Sequence, residues 1–254
     1  PLEGAEIIHD ALEDNGVTPV FDSGVDRFEV DDEGRVTGAV DPSGERYEGE
    51  FCGVAIGLDF NTEWLRGTGV ETDDRGFIET DEFLRTDAEG VWALGDIVGE
   101  YLLKHNANHE AQMVVRNMFR DDLTAVDYSA MPWAVFASPE VAGVGATEAE
   151  LQEEGQEYAT RTYDFDQTAR GDAMHADGFL KAIIDLDGEI LGCQIIGPDA
   201  STLIQEVVVA MTAGSGTVQD IRESVHIHPA LSEVVQRGFS GQFTRGNSGH
   251  SHSH

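Results

Sequence analysis

Basic residues are scarce in this chain. Its 254 residues include 15 Lys and Arg against 49 Asp and Glu, which gives a formal net charge of −34. The acidic residues are spread along the whole length rather than gathered in one tail. So strong a negative field repels nucleic acid and anionic membranes, and neither is expected as a partner. The composition indicates adaptation to high salt, where screening acts within about 3 Å at 1 M. An acidic face for a basic partner is the alternative.

Long apolar runs are also missing. No stretch reaches the roughly 20 apolar residues that a membrane-spanning helix needs, and no charged-then-apolar signal segment opens the chain. We therefore expect a cytoplasmic protein without membrane contact. A chain of this length suits one large domain or two smaller ones.

Cysteine is nearly absent. Cys52 and Cys193 lie far apart among apolar or glycine neighbours, and neither belongs to a Cys-x-x-Cys pair. Cysteines in such surroundings are typically buried small hydrophobes, so we expect both thiols to be structural. No metal site is predicted, and the alternating His and Ser at the end of the chain indicate a flexible tail over residues 247–254.

The motif that stands out is His226-Ile-His228-Pro229-Ala-Leu-Ser-Glu233. Because proline is favoured at the first position of a helix, the motif predicts a helix from Pro229 with His228 as its N-cap. Glu233 would then lie on the second turn, where its carboxylate can accept a hydrogen bond from the His228 ring. Such a pair fixes the tautomer of the ring and suits proton transfer near neutral pH. An ordinary capped helix with surface histidines is the alternative interpretation.

Hydrophobic patterning predicts helices and strands on both sides of a change in texture near Asn61. Before it, we expect a helix over 5–13 and strands at 17–20, 26–30, 35–40 and 51–56. After it, we expect a strand over 91–94 and a helix over 103–119, then strands at 133–137, 179–185 and 190–196 with helices at 147–154 and 201–213. The last group predicts an α+β module built on an antiparallel sheet.

Gly95-Asp96 follows the predicted strand at the mouth of a helix. A carboxylate there can bind a ribityl or ribose hydroxyl, while the N–H groups of the helix start face an electron-rich group. A simple turn after a strand is the alternative.

Four segments resemble the class I pyridine nucleotide-disulfide oxidoreductases, the flavoprotein family of dihydrolipoamide dehydrogenase, glutathione reductase and mycothione reductase. They follow one another in the family's order. The segments are residues 86–96 (the second FAD motif), 136–145 (the start of the dimerisation domain), 191–198 (a strand and turn within it) and 226–233 (the closing His-x-His-Pro-x-x-Ser-Glu).

This resemblance implies the fold: an α/β remnant of a flavoprotein with two dinucleotide-binding domains, followed by an α+β C-terminal dimerisation domain with an antiparallel sheet and helices. The implied divisions are residues 1–58 (the C-terminal part of the NAD(P)-binding domain), 59–128 (the C-terminal part of the FAD-binding domain) and 129–246 (the dimerisation domain).

The resemblance also implies the site. Asp96 would bind the ribityl chain of FAD, and the backbone N–H groups of Leu103, Lys104 and His105 would face the flavin pyrimidine edge. His228, supplied across a homodimer interface, would exchange a proton with a small thiol or disulfide substrate, and Glu233 would orient it. His226 is expected to matter mainly for packing.

A complete member of that family also carries glycine-rich phosphate loops for FAD and NAD(P) and a Cys-x4-Cys redox pair, none of which occurs in this sequence. We therefore expect a C-terminal part of an FAD-dependent, NAD(P)-linked dithiol/disulfide oxidoreductase that is inactive alone. The dihydrolipoamide dehydrogenase type, with a 2-oxoacid dehydrogenase complex as partner, is the first interpretation. A mycothione- or glutathione-reductase-like enzyme, a non-catalytic dimerisation module, and a flavin-dependent oxidase or ferredoxin-type reductase are the alternatives.

The net charge of −34 predicts that salt stabilises the fold. Self-repulsion is strong when screening is weak, so the melting temperature should be higher at molar KCl than in dilute buffer. Calorimetry across a KCl series measures this. A melting temperature that falls or stays level as KCl rises contradicts the prediction.

Overall fold

The computed structural model describes residues 2–246, so the predicted flexible tail lies outside the described residues. The chain opens with one helix and a small antiparallel sheet. Helix α1 spans Leu2–Asp14, and strands β1 (Arg27–Val30), β2 (Val36–Val40) and β3 (Arg46–Glu48) pair in that order. The first helix and the strands predicted at 26–30 and 35–40 are confirmed.

Two strands predicted in this region are wrong. Residues 17–20 and 51–56 form no strand, and Phe51 and Ile56 are 89% and 92% exposed. An apolar run becomes a buried strand only where neighbouring strands accept its hydrogen bonds and other elements cover its faces. No described residue pairs with either run. Cys52 lies in the same exposed segment, so burial is confirmed for Cys193 and wrong for Cys52.

The middle of the chain holds a turn and a long helix. Short 3-10 helices cover Glu63–Leu65 and Gly95–Val98, and helix α2 spans Lys104–Met118, which confirms the helix predicted there. The strand predicted at 91–94 is wrong, because only a single bridge between Arg85 and Trp92 forms. Ala93 is nevertheless buried in a small apolar cluster, so the pattern reported burial rather than strand pairing.

The second half forms a six-stranded antiparallel sheet in the order β4-β5-β8-β7-β6-β9, which confirms the predicted α+β module. Its strands are β4 (Trp133–Val135), β5 (Glu140–Gly145), β6 (Ala159–Asp164), β7 (Phe179–Ile184), β8 (Ile190–Gly197) and β9 (Thr244–Arg245). The helices are α3 (Glu148–Glu154), α4 (Ala169–Met174), α5 (Ala200–Ala213), α6 (Val218–Arg222) and α7 (Glu233–Phe239), with a 3-10 helix at Phe165–Gln167.

The core of the molecule lies between this sheet and its helices. Helix α5 packs on β5 and β8, and α7 packs on β6 and β7. Leu180, Ile195, Val207, Val234 and Phe239 have no exposed surface. The loop that carries the His-x-His-Pro motif joins α6 to α7, so its two ends are fixed by helices that pack into the core.

Among residues 2–246, no helix is both long enough and apolar enough to cross a bilayer.

Gly178 tests the packing of β7 on β8. Its φ is +118°, and a Cβ there would lie 1.9 Å from the carbonyl oxygen of Ile196. We expect Gly178→Ala to lower the free energy of unfolding by more than about 3 kcal/mol, because both the backbone conformation and the neighbouring strand must shift. Urea denaturation measures the change.

Gly34→Ala is the matched control. Gly34 has a φ of +81°, but no atom lies within 4 Å of the added Cβ, so its cost should be only about 1 kcal/mol. Equal losses in the two variants would show that the contact with Ile196 has no energetic weight.

Candidate active site

The His228 ring and the Glu233 carboxylate are in direct contact. The Nδ1 atom of His228 lies 3.0 Å from Oε1 and 3.1 Å from Oε2 of Glu233. Because a carboxylate only accepts hydrogen bonds, Nδ1 carries the proton and donates it. The neutral ring then presents Nε2 as a free acceptor. The predicted contact between these two side chains is confirmed, while its catalytic role stays a prediction.

The two side chains differ sharply in exposure. The His228 side chain is 69% exposed, whereas that of Glu233 is 11% exposed. The hydrogen bond from His228 lowers the pKa of Glu233, and the Ala230 N–H and the nearby positive charge of Arg237 act in the same direction. Glu233 is therefore a fixed anion, and an exposed imidazole anchored on it can take up and release a proton at Nε2.

The helix start predicted at Pro229 is wrong. Helix α7 begins at Glu233 with Ser232 as its N-cap, so His228 lies four residues before the cap. The Glu233 carboxylate accepts the N–H of Ala230 at 3.2 Å, and the N–H groups of Glu233, Val234 and Val235 bond to carbonyls three residues earlier. This turn satisfies the backbone between His228 and the helix. It also places Glu233 at the positive end of α7, which favours a carboxylate.

The residues implied for the flavin lie at and just before the start of α2. Asp96 is exposed within the 3-10 helix, and α2 begins at Lys104 with Leu103 as an N-cap that makes no side-chain hydrogen bond. The first N–H groups of a helix have no partner within it, so this end offers donors to an electron-rich group. The side chains of Lys104 and His105 are engaged elsewhere, with Asn108 and with the carbonyl of Pro132.

A buried carboxylate that the sequence analysis missed joins these two elements. Glu110, on α2, has no exposed surface and accepts the N–H of Gly95, the residue before Asp96. Its Oε1 accepts the Asn106 amide at 2.9 Å and the Tyr128 hydroxyl at 2.8 Å. Burial and this carboxylate raise the pKa of Tyr128, which therefore remains a donor. The spacing of Asn106 and Glu110, four residues apart on the buried face of a helix, was the available signal.

One polar atom at this place lacks a partner. The Oδ1 atom of Asn106 is buried, and no described residue donates to it. Together with the uncapped start of α2 and the exposed Asp96, this orphaned acceptor fits a site that a polar cofactor completes.

His226 is more than a packing residue. Its Nε2 lies 2.6 Å from Oε1 of Glu206 on α5, and its side chain is 6% exposed. The sequence analysis missed this pair, because the two residues are 20 positions apart. Within residues 2–246, no hydrogen bond or ion pair links the His228 group with the Asp96 group, and no cluster of His, Cys, Asp and Glu could hold a metal ion.

Comparisons with known proteins match both halves of the chain. The family model "Pyridine nucleotide-disulphide oxidoreductase" matches residues 2–111. The model "Pyridine nucleotide-disulphide oxidoreductase, dimerisation domain" matches residues 131–238.

Two curated relatives bear different names. The dihydrolipoyl dehydrogenase of Halobacterium salinarum is 35% identical over 237 residues, which cover 91% of this chain and 50% of that protein. The mycothione reductase of Mycobacterium tuberculosis is 39% identical over 197 residues, covering 74% and 43%. The chain thus spans about half the length of the curated relatives it matches.

Solved structures share the fold. LpdA from Mycobacterium tuberculosis superimposes with a TM-score of 0.84 at 21% identity, over 93% of this chain and 52% of that one. The HOCl-induced flavoprotein disulfide reductase RclA from Escherichia coli gives a TM-score of 0.82 at 25% identity, over 92% and 54%.

The lowered pKa of Glu233 predicts a pH-dependent contribution to stability. A carboxylate whose pKa falls on folding stabilises the protein above its ordinary pKa, here 4.5, and loses that contribution as the pH drops through the lowered value. Glu233→Gln should therefore be less stable than the original chain at pH 7, and the gap should shrink by pH 3. Denaturant titrations at both pH values measure it.

Glu223→Gln serves as the control, because Glu223 is exposed and its carboxylate has no partner among the described residues. It should be near neutral at both pH values. A gap for Glu233→Gln that stays constant between pH 7 and pH 3 would show that the ionised carboxylate contributes nothing.

Proposed function

The chain belongs to the pyridine nucleotide-disulphide oxidoreductase family, and from that premise we propose that it supplies the proton-transfer part of an FAD-dependent, NAD(P)-linked dithiol/disulfide oxidoreductase. The observation that carries this proposal is the exposed His228 ring held at Nδ1 by the buried carboxylate of Glu233. That geometry leaves Nε2 free toward solvent or substrate.

His228 would be the acid–base residue of the reaction. Oxidation of a dithiol requires a base that removes a proton from the attacking thiol, and disulfide reduction requires an acid that returns it. Nε2 of His228 can do both, since the ring keeps its Nδ1 proton on Glu233. Glu233 is a positioning residue, because it touches the ring and not the substrate.

FAD and NAD(P) are the cofactors we propose for the whole protein. Asp96 would hold the ribityl chain, and the N–H groups of Leu103, Lys104 and His105 would face the flavin ring. The uncapped start of α2 and the unpartnered Oδ1 of Asn106 support this assignment. The bound flavin would supply electron transfer between the nicotinamide and the substrate's sulfur atoms.

A homodimer is the assembly we propose. The match of residues 131–238 to a dimerisation domain supports it. So does the exposure of Val225 and Ile227, at 100% and 76%, beside His228, because exposed apolar side chains around a polar group are typical of an interface. His228 would then serve the site of the second copy. The divisions 1–58, 59–128 and 129–246 stand as part of this proposal.

The substrate we propose first is a dihydrolipoamide-type dithiol, with a 2-oxoacid dehydrogenase complex as a partner. The second candidate is a low-molecular-weight disulfide, favoured by the 39% identity to a mycothione reductase. The net charge of −34 and the halobacterial relative support a cytoplasmic protein adapted to high salt. Ratios of kcat/KM for dihydrolipoamide and for mycothiol disulfide, measured on a flavin-loaded protein that contains this chain, distinguish the two substrates.

His228→Gln tests the proposed role. In a flavin-loaded protein that contains this chain, the thiol half-reaction should slow by about 10²–10⁴, the usual contribution of general acid–base catalysis. Reduction of the flavin by NAD(P)H should keep its rate, since that step needs no proton at the thiol. Stopped-flow absorbance separates the two half-reactions.

His175→Asn is the control, because His175 is exposed and its ring has no hydrogen-bond partner among the described residues. Asn tolerates the left-handed backbone at this position, where φ is 52°. Equal slowing of both half-reactions by His228→Gln would assign His228 a structural role. A flavin-loaded protein that turns over neither substrate would favour a non-catalytic dimerisation module.

A further inference from the structure

The loop that presents His228 has little structure of its own. From Glu223 to Pro229 every residue is exposed except His226. No backbone-to-backbone hydrogen bond of the described residues involves residues 225–229. The conformation of this loop must therefore be set by side chains, and His226 is the residue whose side chain is turned inward.

Both nitrogens of the His226 ring have partners. Nε2 lies 2.6 Å from Oε1 of Glu206, and Nδ1 lies 3.1 Å from the carbonyl oxygen of Ser224. The amide of Gln236, on α7, donates to the same Ser224 oxygen at 3.4 Å. The ring thus connects its own loop with α5, and the Ser224 carbonyl connects that loop with α7.

The two partners of the ring are both acceptors. A carbonyl oxygen cannot donate, and an ionised carboxylate cannot either. A neutral imidazole carries only one N–H, so it can satisfy only one of these contacts. A ring that donates to both is an imidazolium, and its contact with Glu206 is then a charge-assisted hydrogen bond, which is stronger than a neutral one.

We propose that Glu206 and His226 form an ion pair that positions the His228 loop, so that both are positioning residues for proton transfer. This inference rests on the proposed function of His228. Helix α5 is fixed on the sheet by buried residues such as Val207, which has no exposed surface. The ion pair transfers that fixed position to a point two residues before His228.

The pair complements the contact between His228 and Glu233. Glu233 fixes the orientation of the His228 ring from α7, while His226 fixes the backbone that carries the ring from α5. With only Glu233 in place, the ring would keep its tautomer but its backbone could move. A displacement of about 1 Å at a reacting group can cost about 10² in rate, so the second attachment has a kinetic consequence.

The charge state of His226 can be tested on this chain by itself. Nitrogen NMR of the labelled chain at pH 7 should show both ring nitrogens of His226 protonated, with His226→Gln used to assign the signals. In Glu206→Gln the amide oxygen can still accept from Nε2, but the anion is gone, so the doubly protonated signature should weaken. A single protonated nitrogen in the original chain would overturn the ion pair.

The positioning role needs a kinetic readout. In a flavin-loaded protein that contains this chain, Glu206→Gln should slow the thiol half-reaction by about 10² and leave flavin reduction by NAD(P)H unchanged. Glutamine keeps the shape of glutamate, and the Glu206 side chain is 31% exposed, so packing and melting temperature should change little. Glu223→Gln, which removes an exposed carboxylate three residues before His226, should slow neither step.

The outcomes separate this inference from the proposed function. If His228→Gln leaves the thiol step at full rate, the proposed function fails whatever Glu206→Gln does. If His228→Gln slows that step while Glu206→Gln and His226→Gln do not, the proposed function stands and the positioning role is overturned. A loss of melting temperature that accounts for the whole kinetic effect of Glu206→Gln would also overturn it.

Discussion

A nearly buried carboxylate beneath an exposed imidazole is the constraint on which the candidate active site depends. Glu233 is held at the start of α7, where the helix dipole, the Ala230 N–H and the His228 ring all favour its anion. Because α7 packs into the core through Val234, Val235 and Phe239, the position of this charge is as fixed as the core itself. The proton-carrying ring takes its orientation from that charge, which allows it to remain open to solvent without being mobile about its own axis.

The scarcity of basic residues shapes the rest of the surface. Fifteen cations cannot pair with 49 carboxylates, so many aspartates take backbone N–H groups as partners instead. At Asp31, one carboxylate oxygen accepts N–H groups two and four residues later, and the Arg35 N–H is the largest cause of its lowered pKa. The same two-and-four pattern recurs at Asp41, Asp73, Asp81 and Asp185. Each such turn keeps a carboxylate ionised by local hydrogen bonds, so the fold tolerates a large negative charge without needing a counter-ion for every residue.

What could be predicted from the sequence was what local chemistry decides. Helices α2 and α5 follow from apolar periodicity, and β7 and β8 from continuous apolar runs between turns. Errors arose where distant partners decide, as at residues 51–56, whose apolar pattern is that of a buried strand but which no strand pairs. The start of α7 was misplaced because the Glu233 side chain bonds to Ala230 N–H outside the helix. The contacts of Glu110 and Glu206 join segments 15 and 20 residues apart, a separation at which periodicity carries no information.

The groups proposed for proton transfer form a physically separate unit. His228, Glu233, His226 and Glu206 all lie on or between α5 and α7, and they are referred to the one core that these helices form with the sheet. Asp96 and the start of α2 depend on a different buried group, Glu110, whose partners come from residues 95–128. No described hydrogen bond or ion pair joins the two networks. A substitution in one network therefore has no direct physical route to the other, which is the condition under which proton exchange at a thiol and binding of a flavin can be altered independently.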